Sequence, residues 1–321
     1  MATRALPEID AQYRELREGA GLLDRSERAT LEVRGPDAAD FLQGQVTNDV
    51  QALEPQTGCY AAMLNPKGRI LADMRILRVA PERFLLDTES SSREAVLRDL
   101  RMYKIGRQVE VADTPDRSIV SVIGPRAHEV VESAFGVRLP GPEHALVEEI
   151  PGDAVAVRTD LGIDLVVEGD QAPGARERLL AAGAFPISLD AAEIVRVESG
   201  RPRHGLDMSE ENLPAEAGIV ERSVSFTKGC YVGQEPVARM HYKGHPNRHL
   251  RGLRLSEAVA PGAPLVASGK EVGRVASTAL SPALGPIALA LVRREMAPGD
   301  EVSVGQDGLT ATVVELPFGI S

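Results

Sequence analysis

Of the 321 residues only two are cysteines, Cys59 and Cys230, and the second lies in Lys228-Gly229-Cys230-Tyr231-Val232-Gly233-Gln234-Glu235. Pro236 fits only the first turn of a helix, so a helix from Gln234 to Tyr242 is predicted to begin just after this loop. A thiol ahead of a helix N-terminus, two residues from the Lys228 cation, has an electropositive setting that favours thiolate over thiol. The residues alone leave two readings of Cys230: a reactive thiol, or a small buried apolar side chain, the common role of a free cysteine. Two cysteines without a C-x-x-C pair cannot complete a zinc or cluster site, which takes about four ligands, so no resident metal is expected. His241, His245 and His249 have helical i, i+4, i+8 spacing, but Gly244 and Pro246 interrupt the helix that would align them.

Charge narrows the partners. A net charge of −11 and a pI near 5.2 argue against nucleic acid, which asks for a broad basic face. Locally the sign reverses at Arg239, Lys243, Arg248, Arg251 and Arg254, a run that reads either as a docking place for a small anion or as a solvated basic edge. No apolar run approaches the ~20 residues that span a bilayer, and Met1 to Tyr13 lacks a signal-peptide core, so no membrane association and a cytoplasmic address are expected. G-x-S-x-G, P-loop and G-x-G-x-x-G motifs are absent, which removes the cheapest support for hydrolase, NTPase and dinucleotide readings.

The elements that must position these residues read as follows. Ala11 to Glu18 has helical composition with Asp10 as N-cap, Thr30 to Val33 alternates as a strand, and Ala38, Ala39, Phe41 and Leu42 form an apolar helical stripe. Cys59 to Leu64 and Arg69 to Val79 are extended runs joined by Asn65-Pro66-Lys67-Gly68, whose Pro and Gly suit a type I turn. A strand at Phe84 to Asp87 precedes a helix through Val96, Leu97 and Leu100 that Ser90 to Ser92 can cap. Strands at Val109 to Ala112 and Ile119 to Ile123, a helix from Gly124-Pro125 to Phe135, and a hairpin of Ala154 to Val157 with Ile163 to Val167 come next. Ala175 to Ala182 and Ala191 to Glu198 are further helices. Hairpin-connected strands mean antiparallel sheets with flanking helices, an α+β class, since parallel neighbours would need a crossover after each strand. Beyond Arg248, short strands at Leu250 to Leu255, Lys270 to Ser277, Ile287 to Val292, Glu301 to Val304 and Leu309 to Val314 suggest a small barrel or sandwich. The boundary falls near Pro246 to Arg248, dividing the chain into 1–246 and 247–321. Glu198, at the end of its helix, reads by composition as a solvated helix end.

The run Val224 to Gln234, Val-Ser-Phe-Thr-Lys-Gly-Cys-Tyr-Val-Gly-Gln, resembles the signature of YgfZ-type folate-binding proteins, which assist iron–sulfur cluster assembly or repair. Phe41 to Val50, Met63 to Ile70, Arg196 to Pro202, Gly205 to Met208, Leu213 to Glu216 and Thr278 to Gly285 resemble the wider superfamily of the glycine-cleavage aminomethyltransferase, so the likeness spans nearly the whole chain. That resemblance implies an aminomethyltransferase-like fold with a C-terminal β-barrel and tetrahydrofolate, or another reduced folate, as the bound cofactor. It assigns Glu198 to the pterin, whose paired N–H donors suit a carboxylate, and places Asp73, Asn65, Gln234 and Glu235 on the folate side, with Cys230 and Lys228 as the functional pair. Asp73 stands where the transferase pattern has two adjacent aspartates, and here the first is Ala72. The implied function is a tetrahydrofolate-binding accessory protein with transient iron–sulfur carrier or client partners. A folate-dependent one-carbon transferase or demethylase and a folate-sensing module without catalysis are the alternatives, so whether a reaction is catalysed stays open.

Overall fold

The alternation of Ile70, Ala72, Met74 and Ile76 with Leu71, Asp73 and Arg75 sends one set of side chains to each face of a strand, and in the structure both faces are used. The structure is a computed structural model that describes residues 8–150, 154–305 and 308–319. It divides into two compact units: Met1–Leu64 with Leu71–Ala192 and Ser223–Val232, and Asn65–Ile70 with Glu193–Arg222 and Gly233–Ser321.

The first unit holds two sheets. The five-stranded sheet has the order Thr57–Leu64, Ile70–Ala80, Arg83–Thr88, Ala29–Arg34, Glu110–Asp113. The six-stranded sheet runs Phe185–Pro186, Gly21–Asp24, Arg117–Ile123, Gly162–Glu168, Ala154–Arg158, Leu146–Ile150. Pairing is mainly antiparallel, with Gly21 and Leu22 running parallel to Phe185 and Pro186. Helices Ala38–Gln45 and Arg93–Tyr103 cover the first sheet, where Phe41, Leu42, Val96 and Leu100 pack on Leu31, Val33, Met74 and Phe84. Helices Ala127–Phe135 and Ala172–Ala181 cover the second, with Val130, Val131 and Leu179 against Val120, Val122 and Leu165. The remaining faces meet through Leu77, Val79 and Leu85 on one side and Ile119, Val155, Val157 and Val166 on the other. The stack is helix, sheet, sheet, helix, so both faces of the sheets carry packed side chains, and in Ile70–Ala80 buried positions alternate largely with half-buried ones.

An ion-pair chain also crosses between these sheets. Arg75 bonds Asp87 at 2.5 Å on its own sheet and Asp164 at 2.7 Å on the other, while Arg28 reaches Asp87 and Glu89, each at 2.6 Å. Burial pushes the Asp87 carboxyl up, but Arg28 and Arg75 outweigh it and hold it down at about 2.

The second unit ends in a closed six-stranded barrel of order Arg248–Leu255, Gly285–Arg293, Lys270–Ser281, Pro264–Ala267, Glu301–Val304, Leu309–Val314. Leu253, Leu265, Val275, Ala288, Ala290, Val292 and Val313 fill it. Val197, from helix Leu189–Glu198, packs with Leu250, Ile287, Leu289 and Phe318 outside that core.

The α+β class with antiparallel sheets and a small C-terminal barrel is what the sequence implied. Local differences have simple causes. The first helix begins at Ile9 after Glu8, so Asp10 lies inside the first turn rather than capping it, where its charge still suits the dipole. Gly21–Asp24, Leu146–Ile150 and Pro264–Ala267 are not legible in the sequence because Gly-Leu-Leu-Asp, Leu-Val-Glu-Glu-Ile and Pro-Leu-Val-Ala do not alternate polar with apolar. Among the described residues no helix is long and apolar enough to cross a membrane.

Candidate functional site

Cys230 is exposed, and the loop around it is fastened on both sides. Upstream, the N–H of Ser225 donates to the Thr47 carbonyl at 3.0 Å, and Thr47 Oγ1 donates to the Ser223 carbonyl at 2.5 Å while accepting from the Ala62 N–H at 2.9 Å. Downstream, the N–H of Val232 donates to the Gly44 carbonyl at 3.2 Å. Between them Lys228 turns inward, 8 % exposed, and its Nζ donates to the carbonyls of Gln43, Val46 and Asn48 at 2.6, 2.7 and 2.7 Å. The ammonium also lies 5.1 Å from the ring centroid of Tyr231, itself buried. Gly229 and Cys230 are left outside, with open space where a Gly229 Cβ would stand.

This geometry corrects the expected role of Lys228. The cation predicted to sit beside Cys230 is bound into carbonyls at the end of helix Ala38–Gln45 and the turn after it, where last-turn carbonyls lack intrahelical partners. Burial lowers the Lys228 ammonium to about 8, with Asp49 and Cys59 pushing back. Three acceptors at 2.6–2.7 Å match the three protons of the ammonium, so that is the form the cradle fits. Burial pushes the other thiol, Cys59, up to about 12, against the pull of Lys228. Sequence reading missed Gln43, Thr47 and Asn48 as partners of the cysteine loop. Their signal was present: Phe41 to Val50 was one of the superfamily-like stretches, and the contact explains why both stretches occur in one chain. Gln43 braces this turn further, accepting from Val50 N–H at 2.7 Å and donating to Asp49 at 2.9 Å.

Also in the first unit, Asp73 lies in mid-strand with Oδ2 accepting from the phenolic Oη–H of Tyr60 on the neighbouring strand at 2.8 Å. Its neighbour Ala72 is fully buried in the core under the helices.

The second unit holds the remaining predicted residues. Glu198 is 1 % exposed, which overturns its reading as a solvated helix end, and its Oε1 accepts from Ser281 Oγ at 2.5 Å. Ser281 in turn accepts from the N–H groups of Ala283 and Leu284, so the barrel's own turn orients the hydroxyl. Asn65 serves the hairpin turn: its Oδ1 accepts from the N–H groups of Lys67 and Arg69, and its carbonyl from Gly68 N–H at 2.8 Å. Its side-chain oxygen is thus occupied by the turn rather than presented to a ligand. Gln234 and Glu235 form the first turn of helix Gln234–Lys243, half-buried and exposed respectively. Cys230, Lys228 and Asp73 are therefore in one unit, and Glu198, Asn65, Gln234 and Glu235 in the other. Among the described residues no three His, Cys, Asp or Glu side chains converge as a metal site.

Comparison with known proteins agrees with this architecture from end to end. Residues 2–228 match the GCVT N-terminal domain model, and residues 248–318 match the glycine cleavage T-protein C-terminal barrel domain. An aminomethyltransferase of Rubrobacter xylanophilus is 31 % identical over 97 % of this chain and 86 % of its own. One from Symbiobacterium thermophilum is 33 % identical over 96 % and 88 %, and a putative chloroplastic transferase of Arabidopsis thaliana is 29 % identical over 94 % and 71 %. The crystal structure of the glycine cleavage system aminomethyltransferase T from Bartonella henselae superposes with a TM-score of 0.88 at 25 % identity, covering 97 % of this chain and 89 % of that one. With the models of both its N-terminal domain and its C-terminal barrel matched, this chain belongs to the aminomethyltransferase-like, glycine-cleavage T-protein superfamily.

Proposed function

We propose that the protein is a cytoplasmic, tetrahydrofolate-binding accessory factor for iron–sulfur cluster assembly or repair, in which Cys230 acts transiently on a cluster shared with a carrier or client protein. The observation that carries this reading is the Cys230 loop: six hydrogen bonds hold residues on either side of a thiol that faces solvent. A cysteine kept only for packing needs no such platform. One thiolate cannot hold a cluster, since clusters take about four ligands, so the cluster is cargo and the partner supplies the rest.

The superfamily implies a reduced folate, and the donor set suits one. A carboxylate is acceptor-only, and Glu198 is buried and oriented by Ser281, matching the adjacent N–H donors of a pterin. Glu198 would hold the pterin, and the folate would supply one-carbon carrying capacity. Glu198→Ala should weaken tetrahydrofolate binding by about 1–3 kcal/mol, the usual cost of stranding buried polar partners. Isothermal titration checks this, and unchanged affinity would remove Glu198 from the folate site.

A second reading, a folate-dependent aminomethyl transferase, draws on the Tyr60–Asp73 pair and on the relatives' names. Ala72 stands against it, because the transferase pattern has a carboxylate there and this chain has a buried methyl. Steady-state release of formaldehyde or methylene groups from amine donors with tetrahydrofolate separates the two. Turnover favours the transferase, and its absence beside measurable folate binding favours the accessory role.

A further inference from the structure

Arg248 and Arg293 are direct register partners on adjacent antiparallel barrel strands, an arrangement in which like charges oppose each other and cost stability. Both point outward, because Ala288, Ala290 and Val292 on the same strand fill the barrel interior. They line a cleft of about 460 Å³ together with Leu206, Pro261, Arg274 and Leu291. A second hollow of about 580 Å³ shares Arg248 and Arg293 and adds Arg69 and Arg294. The nearby acids are largely engaged: Glu271 takes Arg274 at 2.9 Å, Glu216 takes Arg69 at 3.3 Å, and Asp207 takes Arg196 at 2.8 Å. Glu295 comes no nearer than 3.9 Å to Arg293, and Glu211 is the other acid at the rim. Among the described residues Arg248 makes no side-chain hydrogen bond or ion pair. On a chain of net charge −11, this cross-strand arginine pair, with Glu295 only at 3.9 Å from Arg293, is a local positive patch at the wall of a cleft that favours an anion. The rest of the lining is mixed, with Leu206, 55 % exposed, Pro261, Val272 and Leu291 supplying apolar surface beside Ser209 and Asn212.

We infer that this face of the barrel is a binding site for a small molecule with a carboxylate or phosphate head and an apolar body. The head sits between Arg248 and Arg293, whose guanidinium forks suit either oxyanion, and the body lies on Leu206, Pro261 and Leu291. The volume falls in the ~300–1,000 Å³ range of small-molecule sites. The inference does not draw on the folate reading, since neither Glu198 nor Asp73 lines the cleft.

Phenyl phosphate and benzoate, titrated separately into the full chain by calorimetry, test it. At least one should bind saturably at a single site and raise the melting temperature, and whichever binds identifies the head group. Arg248→Gln and Arg293→Gln should each weaken that binding about tenfold or more, the scale of a lost charge-assisted contact. Arg254→Gln, a charge removed elsewhere on the same strand, should retain it. Without ligand, Arg248→Gln should melt no lower than the parent, because the repulsion is relieved. No saturable binding of either probe up to about 10 mM, or equal binding in both arginine variants, overturns the site.

Discussion

A solvent-facing thiol becomes selective when its loop cannot wander, and at the residue scale Lys228 is what prevents that. Replacing it with Met keeps the stem but leaves three carbonyls, two of them buried, without their donor. Lys228→Met should cost about 2–4 kcal/mol in a denaturant melt, in line with unmade hydrogen bonds to a charged group. It should also speed amide exchange at 225–232. The two thiols should differ sharply. In the folded protein iodoacetamide should modify Cys230 at least tenfold faster than Cys59, whose thiol burial pushes up to about 12. Equal rates would remove the platform argument. The sequence told Cys230 from Cys59 through glycine flanks and strand context. It misplaced the lysine, because spacing along a chain does not say whether a four-carbon stem points to the neighbouring residue or into the core.

At the scale of elements, the hairpin 57–80 was readable because Asn65-Pro66-Lys67-Gly68 allows few conformations, and Gly68 indeed has φ +76°. A Cβ there would also stand 2.9 Å from the Cβ of Pro236, so Gly68→Val should destabilise by about 1–3 kcal/mol through strain and contact together. The ion-pair chain between the sheets was not readable, since Arg28, Arg75, Asp87 and Asp164 meet only when two separate sheets stack. It sets an acid limit. The folded Asp87 carboxyl, at about 2, lies below its ordinary 3.8, so its contribution is present above pH 3.8 and is lost as pH falls towards 2. That contribution is about 2 kcal/mol. Asp87→Asn should therefore lower stability at neutral pH, by about 3–5 kcal/mol because two buried guanidinium groups lose their shared partner, and should flatten the acid limb of a pH–stability curve. An acid limb unchanged in that variant would assign the loss to other carboxylates.

For the whole molecule, matches over residues 2–228 and 248–318 fix the superfamily, while the activity within it depends on a few positions. The buried Ala72, the exposed Cys230 and the Tyr60–Asp73 pair are the positions on which the proposed accessory role and aminomethyl transfer differ. The α+β class was legible because hairpins and short Gly-punctuated strands leave local marks. The division of residues between two units was not, since Asn65–Ile70 and Glu193–Arg222 join the barrel unit only through long-range contacts. The most direct test is the activity of iron–sulfur enzymes in cells that lack this protein and are complemented with Cys230→Ser. The account predicts that the parent chain restores those activities and the variant, folded and still binding tetrahydrofolate, does not. Full restoration by Cys230→Ser would contradict it.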